Sequence, residues 1–78
     1  MTEQAEVAGA TAREWIEAFA CELGAPPPDP ESVDAVLELA AIAAHASERI
    51  AAPVACWLGG ASGKSIDELR AIAARVSG

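Results

Sequence analysis

Tyrosine is absent from this chain, phenylalanine and histidine occur once each and tryptophan twice, which excludes a core built on aromatic bulk. Valine, isoleucine and threonine are too few to furnish a β-sheet. Positive charge is scarce as well: five Lys and Arg stand against twelve Asp and Glu, a formal net charge of -7. Nucleic acid needs a basic footprint to displace its counterions, so this balance argues against it, and an anionic bilayer surface is disfavoured on the same ground. The longest unbroken apolar run, Leu39 to Ala44, is far short of the roughly 20 residues that span a bilayer. No basic start followed by an apolar stretch of signal-peptide length is present, which points to the cytoplasm. Cys21 and Cys56 could form at most one disulfide; without an export signal they read as two reduced, buried thiols.

What the chain has in abundance is alanine, twenty of its 78 residues. Alanine has the best helix propensity and lets helices approach closely, so the fold class expected is all-α. A chain of this size is one domain. It buries only about 60–65% of its unfolded surface, near the lower limit for folding without a partner surface.

Residues 1–10 have no capped periodic pattern and read as a frayed, acidic leader; residues 11–78 read as a single helical domain. Thr11-Ala12-Arg13-Glu14 is a capping box, in which the threonine oxygen takes an orphan amide and the glutamate reaches back to the cap amide. The helix it starts runs to about Leu23 and stops at Gly24. Its stripe of Ala12, Trp15, Ile16, Phe19, Ala20 and Leu23 falls at steps of three and four and is expected to be buried. Three prolines, Pro26 to Pro28, then favour extended polyproline geometry, a stiff connector between helices.

Asp29-Pro30-Glu31 opens a second helix with a cap oxygen, a proline in the first turn and negative charge at the positive dipole end. From Val33 to about Ile50 its apolar residues occupy more than one stripe, so it is expected to be central and packed on at least two sides. A polar line through Asp34, Glu38, His45, Glu48 and Arg49 is left for the surface. Pro53 predicts an end to that helix near Ala51 and a short third helix from Pro53 to about Leu58, with residues 59–63 a flexible link. Ser65-Ile66-Asp67-Glu68 is a second capping box, and Ile66, Leu69, Ile72, Ala73 and Val76 make the inner stripe of the last helix. The expected architecture is a compact bundle of four helices, three of normal length and one short. The alternative is a three-helix core with an irregular segment over residues 53–63.

Candidate chemistry is thin. Gly59-Gly60-Ala61-Ser62-Gly63-Lys64-Ser65 invites comparison with the phosphate-binding loop, but three residues, not four, separate Gly59 from Gly63, and a helical segment leads in where a strand is required. Weak anion contact by Lys64 and the Ser65 helix start, joined by His45 and Arg49, is the residual form of that reading. Cys21, His45 and Cys56 have zinc-compatible side chains but no knuckle spacing, so no metal is expected; His45 pairs more naturally with Glu48 or Glu38. Cys56 is the better of two poor candidates for a nucleophile. The acidic residues sit at the spacing of solvated helix faces, which argues against an enzyme. Trp57 beside the small residues Gly59, Gly60 and Ala61 fits a contact surface for another protein or a second copy, since tryptophan is enriched at binding hot spots.

Trp15-Ile16, Leu39-Ala40 leading to Ala43-Ala44-His45, and Ala52-Pro53-Val54-Ala55-Cys56-Trp57-Leu58-Gly59-Gly60 together resemble a small actinobacterial helical domain of unknown function. That domain occurs alone and as a C-terminal extension of molybdenum cofactor guanylyltransferases. The resemblance implies an association with molybdenum cofactor metabolism; the catalytic guanylyltransferase domain is absent and no catalytic residue carries over. The function expected is a non-catalytic accessory or protein-interaction module without a cofactor, with a small-ligand or anion-binding domain as the alternative.

Overall fold

Local signals start three of the four helices where the sequence places them. Residues 11–78 are described by the computed structural model; the leader expected at residues 1–10 lies outside them. Helix α1, Ala12–Leu23, opens with the capping box: the Glu14 amide donates to Thr11 Oγ1 at 3.1 Å and the Thr11 amide to Glu14 Oε1 at 3.0 Å. Helix α2, Pro30–Ala46, opens on Asp29, whose Oδ1 accepts from the Ser32 amide at 2.7 Å. Helix α4, Ile66–Ser77, repeats the capping box with Ser65 and Glu68. No strand occurs among the described residues, and the fold is an all-α bundle of four helices.

The third helix differs from its sequence reading. Helix α3 covers Ala51–Ser62 and, at 12 residues, is as long as α1 and α4. Helix α2 ends at Ala46, where Ser47 leaves helical geometry (φ -139°, ψ -105°), several residues before the expected end near Ala51. The reason is Pro53. Continued from α2 it would clash with the preceding turn and delete a hydrogen bond, whereas in the first turn of a new helix its missing N–H costs nothing. The break therefore falls upstream, over residues 47–50. Downstream, Gly59 and Gly60 stay helical, and the expected flexible link is replaced by two more helical residues and a stop at Gly63, whose φ of +77° disfavours any residue with a Cβ.

Helix α2 is the centre of the bundle. It packs along both α3 and α4, and Leu39 in its middle is the most buried large side chain, at 4% exposure. Arg70 of α4 reaches across to Glu38 of α2 and also holds Asp67. Its guanidinium is pushed further up from its already high value by the carboxylates of Asp67 and Glu38. Glu38 is thus paired with Arg70 rather than with His45, and Glu48, which lies beyond the end of α2, makes no ion pair with His45.

Helix α1 shares no comparable seam with the other three. Its apolar stripe, expected to be buried, is covered only at Ala20 and partly at Ile16; Trp15, Phe19 and Leu23 are exposed, with the Trp15 and Phe19 rings stacked 5.1 Å apart. Cys21, on the same helix, is an exposed free thiol and Cys56 a half-buried one, so the expectation of two buried thiols fails for Cys21.

Candidate interaction surface

Helix α3 contains no charged residue, and its single polar side chain is Ser62. A helix apolar all round belongs inside a protein. Only part of this one is covered. Ala52, Cys56 and Gly59 fall on one side and are buried or half-buried. Gly59 is there because the approach is close: a Cβ at this position would lie 2.7 Å from Leu69 Cδ1. Ile50, Val54, Trp57 and Ala61, at steps of four, three and four from the helix cap, form an outer stripe that is exposed along its length, Trp57 to 71%.

The four residues expected at a contact surface are therefore divided. Trp57, Gly60 and Ala61 lie on the solvent side, and a side chain at Gly60 would meet nothing within 4 Å. Gly59 does not join them, being buried against α4. Val54 and Ile50 extend the surface toward the helix start. The sequence pattern assigns Ile50 to a stripe of the second helix and marks Val54, Trp57 and Leu58 as too apolar to leave in water, yet all four are exposed, because α3 starts after Ile50 and turns this face away from α2 and α4.

Between α3 and α4 an open apolar groove encloses about 520 Å³. Leu39 forms its floor, Ala55 and Leu58 one wall, Ile72 and Val76 the other, and Lys64 sits at its rim. No residue of α1 lines it. A second, polar cleft lies between the N-terminal halves of α2 and α4; it holds Glu31, Asp34, Glu38 and Asp67 around Arg70, so its one cation is already spent on two of its acids.

The residues proposed for anion contact are not assembled into a cradle. Gly59 and Gly60 belong to the last turns of α3, the end that presents carbonyl oxygens rather than amides, which is the wrong polarity for phosphate. Beyond them the Lys64 amide donates to Ser62 Oγ at 3.1 Å, and the Ser65 amide donates to Glu68 Oε1 at 3.0 Å. The start of α4 is thus occupied by its own carboxylate. His45, in the last turn of α2, and Arg49, in the following loop, are exposed and make no ion pair among the described residues. Cys21, His45 and Cys56 are not brought together, for no group of three His, Cys, Asp or Glu side chains among the described residues could hold a metal ion. None of the described helices is long and apolar enough to cross a membrane.

These features define a class: a small all-α domain with an uncharged, partly exposed helix and an open apolar groove between its last two helices. The family model described as Domain of unknown function (DUF6457) matches residues 7–78, nearly the whole chain. The chain belongs to that family. Neither the curated proteins nor the solved structures contain a match.

Proposed function

We propose that this domain is a non-catalytic protein-interaction module whose contact surface is the outer face of α3, centred on Trp57. One observation carries the reading: a helix without a charge from Ala51 to Ser62 leaves Val54, Trp57 and Leu58 more than half exposed. Covering the free part of Trp57, roughly 150 Å² of ring surface, contributes about 3–4 kcal/mol at 25 cal/mol per Å². That is the size of a hot-spot anchor. The small residues Gly60 and Ala61 beside it let a partner's backbone come close.

The partner suggested by the family resemblance is a molybdenum cofactor guanylyltransferase, beside which such domains occur as extensions. The setting is cytoplasmic, consistent with two free thiols. The net charge of -7 gives no support to nucleic acid as the partner. A catalytic role is equally unsupported. Among the described residues, the groups with a shifted pKa are Asp29, lowered by a helix-cap bond, and Arg70, raised by its carboxylate partners, both accounted for by structure.

Titration of the isotope-labelled domain with a catalytic guanylyltransferase domain tests the reading. Amide shifts are expected along Ile50, Val54, Trp57 and Ala61, and Trp57→Ala is expected to abolish them with helicity retained. Shifts elsewhere, or a Trp57→Ala chain that unfolds, would refute it. The anion-site alternative at His45, Arg49, Lys64 and Ser65 has less support, because the Ser65 amide and hydroxyl are both engaged with Glu68. Phosphate titration that moved those four amides would revive it.

A further inference from the structure

Two apolar surfaces lack a partner among the described residues: the stripe of α1 and the groove between α3 and α4. We infer that the groove between α3 and α4 receives helix α1 of a second copy, giving a dimer in which the two α1 helices are exchanged. In a four-helix bundle every helix packs on two neighbours. Here α3 and α4 both pack on α2, and the place across from α2 is an apolar groove of about 520 Å³ with Leu39 at its floor. It is the seat of a fourth helix. The chain has a fourth helix, α1, with a ready stripe of Trp15, Phe19 and Leu23, yet that helix is not in the seat.

The second copy, rather than the chain's own α1, is indicated by the connector. Residues 24–29 carry Pro26, Pro27 and Pro28, and proline-rich linkers are extended, semi-rigid spacers that resist folding back. Short stiff hinges of this kind favour exchange between copies. Charge agrees with the pairing. Glu22 borders the stripe of α1, whereas Lys64 stands at the groove rim without an ion pair among the described residues. Area agrees too. The exposed parts of Trp15, Phe19, Leu23, Leu58 and Val76, with the half-buried groove walls, come to somewhat under about 800 Å² per protomer, close to what each partner of a standard interface buries. An exchange about a two-fold axis uses both surfaces twice and leaves none open.

Trp57 lies outside this contact, so self-association and the partner binding proposed above fail separately. Sedimentation equilibrium from micromolar to millimolar concentration provides the test, on wild type, Phe19→Ser and Val76→Asp. The first variant removes an anchor from α1; the second puts a carboxylate into the seat, where it also repels the acidic helix. Both positions are exposed in the single chain, so helicity is expected to survive. The wild type is expected to dimerise and each variant to associate about a thousandfold more weakly, since a two-fold dimer loses the anchor at both seats and each loss is about thirtyfold. A wild type that stays monomeric, or a dimer that persists in both variants, would overturn the inference. A monomer in which Val76→Asp alters the emission of Trp15 would assign the groove to the chain's own α1 instead.

Discussion

Adjacent glycines on α3 offer a measurement of how tightly that helix is held. Gly59 and Gly60 are both helical, and alanine is better than glycine in a helix by about 1 kcal/mol. At Gly60 a new methyl meets nothing within 4 Å, so Gly60→Ala is expected to stabilise by about 0.5–1 kcal/mol, the lower figure applying if the last turn frays. At Gly59 the methyl carbon would sit 2.7 Å from Leu69 Cδ1, closer than carbons approach, and something must move. Leu69 is half-buried and borders the open groove, so its side-chain end has room to turn away. The cost is then at the low end of overpacking penalties, about 1 kcal/mol, which cancels the gain in propensity. The account predicts Gly59→Ala to be close to neutral and Gly60→Ala to be the more stable by about 1 kcal/mol, some 4–8 °C in Tm for a domain of this size. Thermal and urea unfolding followed by helical circular dichroism, at concentrations low enough to hold association constant, measure the difference. Equal stabilisation by the two substitutions would refute the close approach of α3 to Leu69. So would a larger gain at Gly59.

Other consequences follow from single contacts. Removing the cap oxygen by Thr11→Ala or Ser65→Ala is expected to cost about 1 kcal/mol each, with the Thr11 change read best as lost helicity, since α1 has little packing to hold it. The Ser32 amide holds the Asp29 carboxyl below its ordinary value, so the folded state binds this proton more weakly than the unfolded chain. Its contribution is full above the unfolded carboxylate range and is lost as pH falls through the lowered folded value; Asp29→Asn, which keeps a cap but not the charge, should flatten that acid limb of the stability profile. Arg70→Met should destabilise the seam between α2 and α4 in dilute buffer by an amount that shrinks as salt is raised, because the pair with Glu38 is largely exposed. An effect of Arg70→Met independent of salt would contradict an electrostatic role.

Much of this fold is written locally. The boxes at Thr11 and Ser65 and the Asp29-Pro30 start depend on neighbours three residues apart, so they are readable without knowing the fold, and the structure has each in place. The two-sided apolar pattern of α2 likewise reports its central position. Errors arose where a residue answered to a distant partner. Gly59 and Gly60 look like a flexible link, yet one of them is glycine to admit Leu69, ten positions onward. Pro53 was legible as the start of a third helix, but that helix begins two residues earlier, at Ala51, and runs on past Leu58 to Ser62. Glu38 has a histidine seven positions along and binds an arginine 32 positions away instead. The stripe of Trp15, Phe19 and Leu23 predicts a surface to be covered, and periodicity is silent on whether the cover comes from the same chain. For the candidate site, Trp57 was legible as a residue for either core or contact surface, and the structure leaves it exposed; the groove was not legible, since it is formed by the failure of α3 and α4 to close on each other.

The central claim is that the outer face of α3 is free in the isolated domain and covered in a complex. With Trp15→Phe leaving Trp57 as the single tryptophan, quenching of its fluorescence by a neutral quencher, before and after addition of a catalytic guanylyltransferase domain, tests this directly. The account predicts ready quenching in the domain alone and protection in the complex. Protection already in the domain alone would make Trp57 a core residue, and unchanged quenching after addition would show that this partner does not use the face.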